Sequence, residues 1–271
     1  MTYPVHHLWH RVRRRLGPRR FQAFGVGPPK SGTNSLANMF VRNYRSMHEA
    51  DAPVVIDWLR GIASGEAELG GLRAYLRRRD QRLRLEMDAS GMNSRMIEAI
   101  VAEFPEARYI VTVRDCFSWA NSAINQMLNH DDPAPHWRDY RVYLYGELET
   151  CRYPEPERIL ADHTMWSLER VFSAWVDFYR PVLRWVPRER ALFVATDRLR
   201  ADIERIASFL GVPPHSLDGS MSHSHRAPRD FDLIHEIDPA HVDATASRIC
   251  GEIMSQLYPG RECSLSEDYT D

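Results

Sequence analysis

The segment Gly27 to Leu36 reads GPPKSGTNSL and gathers what an anion site needs. Gly27 and Gly32 permit backbone shapes that other residues resist. The amides of Ser31 to Ser35 fall where a helix should begin, and free N–H groups there, with the helix dipole, favour negative charge. The side chains of Thr33, Asn34 and Ser35 can add donors, and Lys30 sets a cation just before the turn. It is the one lysine among 35 Lys and Arg residues. GC-rich codon usage explains the arginine excess and makes the exception informative. A compact ammonium on a flexible stem suits sites that a planar guanidinium does not.

A second group lies downstream. The apolar run Tyr109 to Val113 (YIVTV) ends in Arg114-Asp115, and Ser122 stands eight residues after Arg114. Arginine at a strand end forks onto phosphate, and a serine two turns into the next helix can face the same anion. Two readings of the glycine loop are open from the residues alone. A nucleotide-triphosphate loop requires G-x-x-x-x-G-K-[ST]. Gly27 and Gly32 have that separation, but Thr33 stands at the lysine position and Lys30 comes three residues early. Asp115 would then be the carboxylate for magnesium, with Arg114 intervening. The other reading is a tight strand-to-helix turn without a ligand.

These groups need a scaffold. Strands are expected at Phe21 to Val26, Tyr44 to Glu49, Leu83 to Asp88, Tyr109 to Val113 and Leu192 to Thr196, from apolar runs and alternation bounded by breakers. Helices are expected at 33–43, 51–63, 66–79, 92–104, 117–128, 163–185, 198–210 and 240–257. Residues 1–20 form a basic arm, 129–166 an insertion rich in Pro, His and aromatics, 212–239 a loop, and 260–271 an acidic tail. Strands alternating with helices imply an α/β fold, with a central, mostly parallel five-stranded sheet flanked by helices in one domain over 1–271. Ligands of such sheets sit beyond the carboxyl ends of the strands.

Composition narrows the class. The 271 residues are 44% hydrophobic and 27% charged, with a net charge of −2. That balance suits a folded chain and argues against a nucleic-acid coat. No apolar run is long enough to span a bilayer, and no apolar segment follows the basic N-terminus as a secretory signal requires. The four cysteines, Cys116, Cys151, Cys250 and Cys263, are far apart in sequence and form neither a disulfide framework nor a C-x-x-C knuckle. The expectation is a cytoplasmic protein. His223-x-His225 reads as a polar loop, so no metal site is expected.

PKSGTNSL resembles the phosphosulfate loop of sulfotransferases that use 3′-phosphoadenosine 5′-phosphosulfate, whose pattern is P-[KR]-[ST]-G-T-[TS] after the first strand. The likeness covers about 21–125. It implies a fold of the P-loop nucleotide-binding type, with Lys30, Ser31, Gly32, Thr33, Asn34 and Ser35 on the phosphosulfate. The family's second signature, V-R-[DN]-P with a serine eight residues after the arginine, places Arg114 and Ser122 on the 3′-phosphate. Cys116 replaces the usual proline. The R-K-G motif that closes over that phosphate in many members is missing, and Arg226 or Arg229 would substitute.

By the same resemblance the sulfuryl group moves in line to a hydroxyl, without a metal, leaving 3′-phosphoadenosine 5′-phosphate. Lys30 is the catalytic cation. The general base is a His after the third strand or a Glu near the second in such enzymes. Here the candidates are Glu49, whose distance from the loop matches the Glu-using members, then Asp88, His48 and Asp51. The acceptor is a small molecule, lipid-like alcohol or glycan, in a pocket built from 51–80 and 129–166 with His136, Trp137, Tyr140, Tyr143, Tyr145 and Trp166 as lining. The Arg-rich stretch 73–84 could attract an anionic acceptor, and Arg11, Arg13, Arg14 and Arg15 a membrane surface, but a solvated face is the favoured reading of both. A nucleotide kinase or NTPase using ATP with magnesium, and a catalytically silent nucleotide-binding module, are the rivals. Oligomeric state is open.

Overall fold

The structure, a computed structural model, describes residues 17–130, 133–220, 229–267 and 269. Among them five parallel strands form one sheet: β1 (Ala23–Val26), β2 (Ser46–His48), β3 (Met87–Ala89), β4 (Arg108–Val113) and β5 (Ala191–Ala195), in the order β2-β3-β1-β4-β5. Four lie within the runs expected for them or one residue beyond, and the α/β class holds; the third, expected at Leu83 to Asp88, is shifted to Met87–Ala89, because the helix before it runs on to Leu83 and ends at Arg84 in a left-handed backbone (φ 48). The described helices are α1 (Thr33–Phe40), α2 (Ala52–Ser64), α3 (Leu69–Leu83), α4 (Gly91–Arg95), α5 (Ile97–Glu103), α6 (Cys116–Asn129), α7 (Pro135–Tyr145), α8 (Arg158–Asp162), α9 (Leu168–Trp185), α10 (Ile203–Leu210) and α11 (Pro239–Leu257).

Alternate strand residues point to opposite faces, and both faces are buried. Ala23, Met87, Ala89, Ile110 and Val194 pack with Leu36, Phe40 and Ile206 beneath α1 and α10. Phe24, Val26, Tyr109 and Val111 face the larger core, which α4, α5, α6 and α9 close and which extends to α2, α7 and α11. Gly25 lets α1 approach: a Cβ there would stand 2.6 Å from the Ala89 Cβ and 2.8 Å from Leu36.

Four helical expectations are corrected. The helix expected from 198 begins at Ile203, after a separate 3-10 turn over Thr196–Arg198. The helix expected at 92–104 is two, joined at Met96, whose amide is shared between the Met92 and Asn93 carbonyls. The helix expected from 163 begins at Leu168, because Thr164 takes a left-handed backbone (φ 57) and Ser167 is extended. The insertion holds a regular helix, α7, started by Pro135. Proline suits a first turn, since its fixed φ is helical and its missing N–H has no partner to lose there.

Distance along the chain misleads for the thiols. Cys116 and Cys250 are buried, and hydrogen bonds to both Cys250 and Cys263 bear on the Cys116 thiol. All four cysteines are free. The C-terminal stretch folds back onto α6: the Tyr269 ring stacks on Phe117 at 6.3 Å and meets Tyr258 edge-on at 5.0 Å.

Candidate active site

The carboxyl ends of β1, β2, β4 and β5 open on one cleft of ≈ 1620 Å³. Strand order reverses across β1 and β4, where a crevice forms in sheets of this kind. Lys30, Gly32, Thr33, Asn34, Ser35, His48, Glu49, Arg114 and Ser122 all line it. The cleft exceeds the few hundred to about 1,000 Å³ of a single-ligand pocket, so it has room for two.

The loop after β1 is held from outside. Ser31 Oγ donates to the Pro28 carbonyl at 2.7 Å, Trp119 Nε1 to Pro29 at 2.6 Å, Arg114 Nη1 to Lys30 at 2.9 Å and Thr196 Oγ1 to Ser31 at 2.7 Å. Four successive carbonyls are thus occupied by protein donors. Gly32 (φ 97) and Lys30 (φ 69) take left-handed backbone, and α1 then starts with no side-chain cap. Exposed amides around such a turn make an anion-binding concavity. Ser31 itself corrects the expectation. It is fully buried, its hydroxyl also pairs with Thr112 Oγ1 at 2.7 Å, and its amide bonds Pro28. Its side chain shapes the loop instead of facing an anion.

Lys30 Nζ donates to Gln126 Oε1 at 3.0 Å, a neutral partner. Burial and the nearby Arg114 guanidinium push the Lys30 ammonium below its ordinary range, and burial likewise lowers Arg114. Arg114 is pinned by Ser118 Oγ at 3.1 Å and by the Lys30 carbonyl. Two depressed cations sharing one wall is an arrangement that a bound anion relieves. Asp115 takes the Ser118 amide at 2.8 Å and its hydroxyl, and so caps α6. That carboxylate is engaged in a cap, and Thr33 occupies the lysine position, so the geometry of a nucleotide-triphosphate loop is not reproduced. Among the described residues no group of three or more His, Cys, Asp or Glu is placed to hold a metal ion.

The base candidates separate. His48 Nε2 lies 3.2 Å from Thr33 Oγ1, and His48 Nδ1 lies 3.7 Å from Glu49 Oε2. Glu49 takes a left-handed backbone (φ 51) at the end of β2, and burial pushes its carboxyl up to about 7. Asp88 is a correction. Its two oxygens accept from Arg79 at 2.5 and 3.3 Å, the pair is buried, and it does not line the cleft. Asp51 is held by Tyr75 at 3.2 Å and by Arg82, and it neither caps α2 nor enters the cleft.

Beyond Glu49 the wall is aromatic. Trp137, Tyr140 and Tyr145 of α7 line the cleft; His136, Tyr143 and Trp166, expected with them, do not. Tyr143 stacks against Tyr140 at 6.0 Å, and the Trp166 indole donates to the Gly146 carbonyl at 2.9 Å. Residues 51–80 contribute nothing to the lining, because α2 packs against α7 instead. The arginines of 73–84 are largely engaged: Arg77 and Arg73 with Glu103, Arg79 with Asp88, Arg82 with Asp51. Arg226, His223, His225 and the arm arginines lie outside the described residues. Arg229 sits over the Phe231 ring at 5.5 Å and does not line the cleft. Sequence reading missed Trp119, Thr196 and Gln126. Trp119 and Gln126 lie on the helix after β4 and Thr196 follows β5, and that shared position beyond strand ends was the available signal.

Comparison with known proteins agrees with this geometry. A family model described as the sulfotransferase domain matches residues 22–218. Among solved structures, sulfotransferase STF9 from Mycobacterium avium superposes with a TM-score of 0.51 at 13% identity, over 95% of this chain and 82% of that one. A sulfotransferase from Alicyclobacillus acidocaldarius gives 0.50 at 16%, over 89% of this chain and 96% of that one. At such identities the likeness is one of fold. No curated protein sequence matches the chain significantly.

Proposed function

Because the chain belongs to the sulfotransferase family, we propose that it transfers the sulfuryl group of 3′-phosphoadenosine 5′-phosphosulfate to a hydroxyl of a small-molecule, lipid-like or glycan acceptor. The observation that carries this reading is the pair of cations, Lys30 and Arg114, set side by side beside a loop whose carbonyls from Pro28 to Ser31 are all taken by protein donors. The residues fit the donor. The loop amides with Thr33, Asn34 and Ser35 would hold its 5′ end, and Arg114 with Ser122 its 3′-phosphate. Bound there, the donor supplies an activated sulfuryl group whose bond to the 5′-phosphate breaks as a bond to the acceptor oxygen forms.

The chain's own groups do the rest. Lys30 and the loop amides offer preorganised positive charge to the oxygens that gain electrons, which is where such donors lower a barrier most. Glu49 takes the acceptor's proton. A base titrating near neutrality combines correct ionisation with useful driving force. His48 bridges Thr33 and Glu49 and keeps the base beside the loop.

The test is a thermal melt with 3′-phosphoadenosine 5′-phosphate, ADP, or ATP plus magnesium. A ligand at about 100 times its dissociation constant adds about 2.7 kcal/mol, or about 5–10 °C for a chain of this size. A shift confined to the 3′-phosphorylated nucleotide supports the reading. A shift confined to ATP with magnesium overturns it in favour of a kinase or NTPase.

A further inference from the structure

Three of the four thiols meet at one junction. Cys116 opens α6, Cys250 lies in α11 and Cys263 in the stretch that follows it, and hydrogen bonds join the Cys116 thiol to the other two. All are free. The junction sits against the cleft. Arg114 and Asp115, just before Cys116, line it, and so do Leu265 and Glu267, just after Cys263. The proposed transfer uses none of these sulfurs.

The three are not equivalent. Cys116 and Cys250 are fully buried, and Cys250, set within a helix, donates to the Phe172 carbonyl at 3.8 Å. Cys263 is half-buried, on irregular backbone. It is held at its own residue and just beyond: Ser247 Oγ donates to its carbonyl at 3.1 Å, and Ser264 Oγ and the Leu265 amide donate to Asp243 at 3.0 and 2.6 Å. The Cys116 thiol donates to the Cys263 sulfur. That bond, with one from Ser247, holds Cys263 below the ordinary thiol range although burial, Asp243 and Asp115 oppose it. Burial holds Cys116 well above that range. One sulfur is thus reachable and thiolate-like, and a protonated thiol stands in contact with it. An attacking cysteine beside a resolving one has this form.

We propose that Cys263 and Cys116 form a reversible disulfide under hydroperoxides, and that the bond ties the cleft wall at 258–267 to the start of α6. The inference stands apart from the choice of sulfuryl donor. Hydrogen peroxide is the simplest oxidant, and the chemistry balances with it. The Cys263 thiolate attacks one peroxide oxygen, the O–O bond breaks, and a sulfenic acid and hydroxide result. The Cys116 sulfur then attacks the sulfenic sulfur. The S–O bond breaks, and its hydroxyl leaves with the Cys116 proton as water. The proton lost when Cys263 ionised makes the second water from the hydroxide. Two thiols give up two electrons and the peroxide takes them. A dithiol reductant reverses the bond by exchange. Closing the bond brings two sulfurs from contact to bonding distance, which needs a backbone that can follow. Cys263 can follow because its stretch is irregular, whereas Cys250 is fixed in its helix.

The test uses the full chain and a small excess of hydrogen peroxide, followed by alkylation and peptide mapping without reduction. The map should show Cys116 linked to Cys263 within one chain and two of the four thiols lost, both reversed by dithiothreitol. The bridge closes a long loop, so Tm should rise by about 5–10 °C. Hydrogen exchange should slow across 258–267 and stay unchanged in α2. Cys263→Ser removes the attacking sulfur without opening the core, and peroxide should then give neither link nor Tm rise. In Cys116→Ala the resolving thiol is gone, so dimedone should trap a sulfenic acid at Cys263. The proposal is overturned if peroxide takes Cys263 to sulfinic acid with Cys116 still free. It is equally overturned if the bridge joins Cys250 or a second chain, or if it forms and exchange across 258–267 does not change.

Discussion

Glu49 and Lys30 are each displaced from their ordinary titration, in directions that match opposite roles. Glu49 rises from 4.5 to about 7 because it is buried. The folded chain therefore binds more protons than the unfolded chain between those pH values. Stability from this group is full below pH 4.5 and is lost as pH climbs through about 7. Glu49→Gln removes the penalty, so at pH 8 it should gain up to about 3 kcal/mol over the parent, and nothing at pH 4. Transfer should be lost, and the parent's kcat/KM should rise with pH along a limb centred near 7. Burial is the cause of the Glu49 shift; His48 Nδ1 lies 3.7 Å from the carboxyl. A flat profile from pH 5 to 9 would remove Glu49 from the base's role. Lys30→Ala should lower the single-turnover rate by about 10²–10³, the usual effect of deleting one preorganised donor. Lys30→Arg should not restore it, because the place beside Gln126 and Arg114 suits a point charge rather than a second fork. A Lys30→Ala protein with near-parental turnover would leave a silent nucleotide-binding module as the better account.

At the level of elements, the strand-to-helix loop and the β3–α3 contact answer to different changes. Gly27 has φ 143, and a Cβ there would lie 2.6 Å from the Thr112 carbonyl oxygen, a backbone atom that cannot yield. Gly27→Ala should cost about 2 kcal/mol or more in denaturant melts and abolish nucleotide binding with it. Asp88→Asn breaks a buried pair and leaves Arg79 poorly compensated, so it should cost about 3–5 kcal/mol. Turnover of the folded fraction should persist, because Asp88 lies outside the cleft; its loss would return Asp88 to the list of bases. The two cases also show what was legible beforehand. The loop was readable because its strand, breakers, donors and helix are contiguous from Phe21 to Phe40. Asp88 was not, because its partner Arg79 lies on the helix before the strand, and alternation does not say which side of a strand end meets the cleft. The helix from Pro135 was hidden by prolines that read as loop residues, although one of them starts it. Tyr140 was visible only as one aromatic among six. What sets it apart, a hydroxyl with no partner, exists only once the helix is packed.

Over the whole molecule, the end of the cleft around Arg114 and Ser122, where the nucleotide is proposed to bind, is walled by residues within 258–269. Leu265, Glu267, Tyr258 and Tyr269 line the cleft beside Arg114, Ser118 and Ser122. The stretch is tied down at several points: Ser264 Oγ and the Leu265 amide donate to Asp243, Ser247 Oγ to the Cys263 carbonyl, and Tyr269 packs on Phe117 and Tyr258. A segment expected from composition as an acidic tail is in part a wall. Cys263 lies half-buried in it, and the hydrogen bond from Cys116 lowers its thiol below the ordinary range while Cys116 is raised by burial. Thiolate character and exposure set alkylation rates. In the native chain iodoacetamide should therefore label Cys263 well before Cys116 or Cys250, and saturating 3′-phosphoadenosine 5′-phosphate should slow that labelling by bracing the wall. Deleting 263–271 should expose Phe117 and Cys116, speed Cys116 alkylation and weaken the nucleotide's thermal shift. The loop around Lys30, held by Trp119, Arg114 and Thr196, should keep its stability in denaturant melts. Peptide mass mapping of labelled protein with and without nucleotide decides the matter. Equal labelling of Cys263 in both conditions, with an undiminished shift in the truncated chain, would mean that the C-terminal stretch covers the core without taking part in the nucleotide site.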